Sequence, residues 1–338
     1  MLVTVLEPEV RVEVEGGALR CMREGELLRV LHPHQVQALH LHGSATLTGA
    51  ARRVLLQQGT DVVFMTRDAR FLGRLVGATR ARGDLRLTQL RSVLDPARRL
   101  ALARDIVVGK LENQRRLLLA RRLGADDDAI GGLDVALEAA RRAGTLDQVR
   151  GAEGAGARAY FGAFPRLIRR DDLTFDGRSR QPPRDLVNAM LSYGYTLLVT
   201  RVEHAIRIVG LDPHVGLLHD AGRGAPSLAL DLAEAWRPMV DSVVLSLVNR
   251  RQVGPDDARH PHEDEVGRDC PDAVWMNRSA KTILLRAWEA RLRGQQRHPV
   301  TGERWTPLSL FLEQATQIGV SFGAEHPRYP SVKLGSIP

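Results

Sequence analysis

Between Gly210 and Asp241 the chain reads GLDPHVGLLHDAGRGAPSLALDLAEAWRPMVD, with a histidine, His219, before a glycine-rich break and two carboxylates, Asp231 and Glu234, after it. Two carboxylates and one imidazole form a ligand set that Mn²⁺ accepts readily and Mg²⁺ accepts with more retained water. Such an ion offsets the anionic oxygens of a phosphodiester and activates an attacking oxygen. Were Leu217 to Glu234 one unbroken helix, the rise between His219 and Glu234 would be roughly 22 Å, beyond the reach of one ion. The chain must therefore fold back. Gly222, Gly224 and Pro226 interrupt a helix and Ser227 can cap the next, so the pattern predicts helix, loop and helix, with Asp231 and Glu234 sharing a face of the second.

A third candidate, Glu153, lies upstream in GAEGAGARAYFGAFP (Gly151 to Pro165), expected at the head of a helix and followed by an aromatic stripe. Each residue has an ordinary reading as well. Glu153 suits a helix start, where the macrodipole favours a carboxylate. His219 suits a hydrogen-bonded core histidine, and Asp231 with Glu234 a solvated helix face. Spacing alone leaves both readings open.

The order and surroundings of these residues carry more. EGxxAxxYFxxFP around Glu153, NAMLSYGYTLL at Asn188 to Leu198, then GLDPxxGxLH and SLALDLxExxRP from Gly210 to Pro238 occur in that sequence. With LHLHGSATLTGAARRVLLQQGTDVVF near the start and GKLENQRRLL at Gly109 to Leu118, the chain resembles the CRISPR-associated adaptation integrases of the Cas1 family over nearly its whole length. The resemblance implies that Glu153, His219 and Glu234 ligate Mg²⁺ or Mn²⁺ and carry the catalysis. Asp231 would stand beside them, as a water-mediated ligand or as the carboxylate that orients one of them. It also implies a homodimer on either end of a Cas2 dimer, and as substrates double-stranded and branched DNA and the CRISPR repeat.

Bulk properties fit a nucleic-acid enzyme. The 338 residues suffice for two cores, no charged and then apolar leader is visible, and no apolar run approaches the ~20 residues of a membrane span, so a cytoplasmic protein without a membrane partner is expected. Cys21 and Cys270 are too few and too far apart for a disulfide framework or a thiolate zinc site. The formal charge is +8, nearly all of the basic residues being arginine; only Lys110, Lys281 and Lys333 are lysines. From Arg80 to Arg122 twelve basic residues face Asp84, Asp95, Asp105 and Glu112, a local excess of 12 − 4 = 8 that equals the excess of the whole chain and reads as a phosphate-binding surface.

Hydrophobic periodicity gives the frame. EVRVEV (residues 9 to 14) alternates with period two, Gly16-Gly17 closes a turn, and Leu27 to Leu31, Ala38 to Leu41 and Asp61 to Phe64 read as further strands, with a helix over Gly49 to Gln58. From Ala97 the period becomes helical. Thr145 opens the helix of Glu153, Asp185 caps a long helix, and Gly210-Leu-Asp-Pro ends it. The fold class is thus α+β: a small N-terminal β-rich domain (residues 1–85), a linker (86–96), a larger all-helical catalytic domain (97–325) and an irregular tail (326–338). Residues 254–273 form a polar insertion where transfer from the family pattern stops.

Several further residues are candidates for DNA contact. Lys110, Asn113 and Gln114 project from one helical face, as DNA or dimer contacts or as a polar surface. Tyr160 and Tyr193 place rings near DNA or pack in a core. Arg158, beyond Glu153, and Arg223, after His219, flank the expected ion and suit phosphate. His32, His34, His40 and His42 carry no accompanying thiol or carboxylate and read as surface histidines rather than zinc ligands; His260, His262 and Glu263 read as part of the solvated insertion. The function expected is metal-dependent cleavage and strand joining of DNA. Two alternatives are a non-catalytic basic DNA scaffold and a metal-dependent hydrolase of small phosphoesters.

Overall fold

The structure, a computed structural model, describes residues 2–67, 70–77, 82–180, 182–220, 222, 224–261, 272–297 and 302–334. It falls into two compact units, Met1–Arg80 and Ala81–Pro338.

In the first unit, Val10 and Val12 point inward while Arg11 stays outside, and this alternation fixes β2 (Arg11–Glu15). The turn at Gly16 and Gly17 leads into β3 (Ala18–Arg23), a strand the sequence reading passed over, and only then into β4 (Glu26–Leu31). With β6 (Thr46–Leu47) they form a sheet in the order β4-β3-β2-β6. The second sheet runs β1-β5-β7-β8, where β1 is Leu2–Val5, β5 Ala38–His42, β7 Asp61–Met65 and β8 Phe71–Leu75. Strands β1, β5 and β7 are parallel and β8 closes antiparallel. Helix α1 (Gly49–Gln57) is capped by Thr48, whose hydroxyl accepts from the N–H of Ala51. Val12, Leu19, Leu39, Leu41, Leu55 and Val62 form the core. One expectation fails here. His40 and His42 are buried because β5 lies between two strands with every residue covered, whereas His32 and His34 are exposed and stacked, ring centroids 5.7 Å apart.

The second unit is helical. Most of residues 86–96, expected as linker, belong to helix α2 (Gly83–Leu94), and α3 (Pro96–Ala120) follows after Asp95, whose carboxylate caps it. Then come α4 (Asp128–Arg142), α5 (Leu146–Ala163), α6 (Leu186–Val209), α7 (Ser227–Ala233) and α8 (Arg237–Asn249). Helices Arg278–Arg293 and Pro307–Gly323 complete the unit. Thr145 and Asp185 are the caps the sequence indicated. The tail is irregular but packed: Tyr329, Val332 and Leu334 are buried, and Asn113 on α3 grips it, donating to Val332 O and accepting from the N–H of Leu334. Among the described residues no helix is long and apolar enough to cross a membrane.

Candidate active site

Glu153 lies two turns inside α5, not at its head. Because the macrodipole acts within the first turn, it does not account for a carboxylate there. Gly156, one turn further on, lets α5 lie close against α3: a Cβ at that position would stand 2.2 Å from Leu111 Cδ2, in a core with no room to yield. This close approach brings Glu153 to Lys110. The buried Lys110 Nζ contacts Glu153 Oε1 and stands 2.7 Å from Glu234 Oε2. Glu234 opens the short 3₁₀ turn Glu234–Trp236 after α7 and is also 3.0 Å from Arg237 Nε, one turn on. Burial pushes its pKa up, but the charges of Arg237 and Lys110 outweigh that and hold it at about 2.

His219 is not on a helix. The described residues between 211 and 226 are irregular, and Ser227 is the first residue of α7 rather than its cap. Instead of a helix, a carboxylate organises this segment. The fully buried Asp231 accepts from the N–H groups of Leu217 (2.6 Å), Leu218 (3.0 Å) and His219 (3.0 Å), and its Oδ1 lies 2.7 Å from His219 Nδ1. A carboxylate here can only accept, so Nδ1 carries the proton and the neutral ring keeps a lone pair on Nε2. The hydrogen bond to Asp231 raises the imidazole pKa above its ordinary value; burial opposes it, and the charges of Asp231 and Glu234 add to it. Arg99 from α3 donates to Leu217 O (2.7 Å) and Arg150 from α5 to Leu218 O (2.9 Å), and both pair with Asp220.

Gly216 makes the Asp231 clamp possible. A Cβ there would meet the backbone carbon of Ser227 at 2.8 Å and Asp231 Oδ2 at 2.9 Å. Gly216→Ala is expected to cost about 1–3 kcal/mol through overpacking. It should also free His219, which urea unfolding and Mn²⁺ titration would register together.

The structure thus joins Glu153 to Glu234 through Lys110 and fixes His219 on Asp231. As they stand, no three His, Cys, Asp or Glu side chains among the described residues are set to hold a metal ion. The donors nevertheless suit one. They are hard oxygens and an imidazole nitrogen, two glutamates already converge on a cation, and the buried Glu234 Oε2 accepts no aligned hydrogen bond from either neighbouring cation.

The remaining candidates lie elsewhere. Asn113 and Gln114 are buried, because the face of α3 they share with Lys110 points into the unit; Asn113 also donates to Ala235 O, beside Glu234. Tyr193 is buried, and so is Tyr160, whose hydroxyl donates to Asp241 Oδ2 (2.7 Å) while Tyr195 donates to Oδ1 (2.5 Å). Arg158 is exposed on α5. Arg223 and residues 262–271 of the 254–273 stretch, His262 and Glu263 among them, lie outside the described residues.

The reading of the sequence missed Arg237, Arg99, Arg150 and Asp241. Only Arg237 left a signal, the i, i+3 spacing from Glu234 in ExxRP. Asp241, fully buried, has its pKa raised by desolvation to about 6, against its two tyrosine donors. Between its ordinary value near 4 and about 6 the folded chain holds a proton that the unfolded chain has lost, so stability falls as pH rises through that window. Tyr160→Phe should extend the window upward and lower stability at pH 7.5 by about 1–3 kcal/mol, more than at pH 5, in urea unfolding.

Comparison with known proteins defines the class first. The structure is similar to a casposase bound to integration product (TM-score 0.86, 20% identity, 99% of this chain and 94% of that one) and to a Cas6-RT-Cas1–Cas2 complex (TM-score 0.84, 22% identity, 99% of this chain and 36% of that one). These share its fold: a strand-rich unit followed by a helical one. The sequence is 37% identical over 331 residues to the CRISPR-associated endonuclease Cas1 3 of Thermus thermophilus, covering 97% of this chain and 96% of the other. The family model described as "CRISPR associated protein Cas1" matches residues 3–290. The chain belongs to the Cas1 family.

Proposed function

We propose that this protein is the nuclease and integrase of CRISPR adaptation, joining the 3′-hydroxyl ends of short spacer DNA to a CRISPR repeat by transesterification and able to cleave branched DNA. The observation that carries the reading is the convergence of Glu153 on α5 and Glu234 in the turn after α7 on a single cationic point within a Cas1 fold. In support stand a relative named as an endonuclease and a neighbour bound to integration product.

Glu153, Glu234 and His219 would hold Mg²⁺ or Mn²⁺. Bound there, the ion supplies Lewis acidity, lowering the charge barrier to attack of a hydroxyl on a phosphodiester. The chain's own residues prepare the place. Arg237 keeps Glu234 ionised despite its burial. Asp231 holds the proton of His219 on Nδ1, so that Nε2 is the nitrogen available to a ligand. Arg158, exposed on α5, suits phosphate contact. Strand joining breaks one phosphodiester as it makes another, the incoming 3′-hydroxyl losing a proton and the departing 3′-oxygen taking one up. The partners proposed are double-stranded and branched DNA, repeat DNA, a second copy of the chain and a Cas2 dimer. Affinity for DNA should fall with salt at about −0.9 per phosphate neutralised.

The test is incubation of a 3′-overhanging duplex with repeat DNA, and separately of a branched DNA, in Mn²⁺, Mg²⁺ or chelator. Joined and cut products are expected with either ion and neither with chelator. Binding without strand transfer under all conditions would leave a scaffold. Turnover of a small phosphoester unaffected by excess duplex would point to the hydrolase.

A further inference from the structure

Lys110 is one of three lysines in a chain with 48 basic residues, and its ammonium stands between two carboxylates, 5% exposed beside a Glu234 side chain at 4%. Two glutamates this close repel, and the ammonium between them offsets that repulsion. Lys110 and Arg237 set two positive charges against the two glutamates. A divalent ion needs the oxygens that the ammonium and the guanidinium now face. One cation must then give way.

The surroundings decide which. The Arg237 guanidinium lies over the Tyr195 ring, 4.6 Å from its centroid, and the charge of Asp241 also favours it there. Lys110 has neither support: among the described residues its polar contacts are the two glutamates. Its ammonium is a compact, strongly hydrated point charge on a flexible stem, whereas a guanidinium is a rigid planar fork.

We infer that Lys110 is the resident counter-cation of the metal-free site: it holds Glu153 and Glu234 together, and its ammonium withdraws when a divalent ion takes their oxygens. The inference rests on the metal reading given above and adds a role to it. Lys110 is a positioning residue that keeps the ligands assembled and sets a threshold on ion binding, because each ion that enters must displace a paired lysine.

Having three lysines makes the movement observable. In protein labelled with ¹³C at the lysine ε-carbons, Lys110, Lys281 and Lys333 give three side-chain signals, assigned with Lys110→Arg. Titration with Mg²⁺ should shift the Lys110 signal and leave the other two in place. Calorimetric titration with Mn²⁺ should find Lys110→Met binding on the order of tenfold more tightly than wild type, with a lower thermal midpoint without ion and a larger rise on adding it. Lys110→Gln, which keeps a polar head, serves if the Met variant does not fold. An unmoved Lys110 signal at saturating Mg²⁺, or equal or weaker Mn²⁺ binding by both variants, overturns the inference while the metal site stands. Absence of ion binding by wild type and variants alike removes the metal reading and the inference with it.

Discussion

Glu153→Ala is expected to lose strand transfer and cleavage by on the order of 10²–10³-fold while still folding, whereas Glu234→Ala is expected to lose both activity and stability. The activity loss follows from the several kcal/mol that metal-assisted charge stabilisation contributes, each 1.36 kcal/mol being tenfold in rate. The stability difference follows from burial. The Glu153 side chain is 26% exposed and, among the described residues, pairs with Lys110 alone, and water can reach what its removal uncovers. Glu234 is 4% exposed and faces both Lys110 and Arg237, so truncating it leaves two buried cations against one remaining carboxylate. Breaking a buried pair from one side costs about 3–5 kcal/mol. Thermal unfolding of the two variants beside a strand-transfer assay separates the effects. Wild-type activity in a folded Glu153→Ala would remove Glu153 from the chemistry, and equal melting of both variants would contradict the charge arrangement around Glu234.

The sequence pointed to Glu153, His219 and Glu234 as candidates and concealed what connects them. They stood out because the motifs around them are short, ordered and rich in glycine, and Gly156 and Gly216 stand where helices or loop must approach closely. The conformation near His219 was not legible: a glycine and proline pattern says that a helix stops, but not that Asp231 gathers three successive N–H groups to hold the loop. The arginines between Arg80 and Arg122 misled in a different way. They read as a phosphate surface, yet Arg86, Arg98, Arg99 and Arg116 spend donors on carbonyls of Gly210, Phe322, Leu217 and Leu334, bracing distant segments. Charge counting cannot distinguish a guanidinium facing solvent from one tying down a chain end. Likewise Lys110, Asn113 and Gln114 have the spacing of a helix face, but spacing does not say that the face is covered. Tyr160 and Tyr193 repeat the lesson from the opposite side, since of their two readings it is core packing that the structure shows.

Asp231→Asn carries the sharpest test of how His219 is prepared. The hydrogen bond to Asp231 is the largest cause of the raised His219 pKa. The ring therefore binds its proton more tightly in the folded state, and the stability from this pair, fully present below the unfolded value near 6.5, is lost as pH rises through the folded value. Ion binding needs the neutral ring and runs the other way. Affinity for Mn²⁺ should rise with pH and level off only above about 6.5, later than an ordinary histidine would suggest. Asparagine keeps the volume and an acceptor oxygen but removes the charge, so the midpoint of this rise should move to lower pH while affinity at pH 8 falls about 10–100-fold, as when a metal ligand loses its orienting carboxylate. A variant that merely unfolded would lose affinity at every pH without moving the midpoint. An unmoved midpoint in a folded Asp231→Asn would mean that Asp231 holds the loop and does not tune the ring. The two roles are physically separable, because one oxygen, Oδ2, takes the N–H groups of Leu217 and Leu218 and the other, Oδ1, takes both nitrogens of His219 within reach, backbone N and Nδ1.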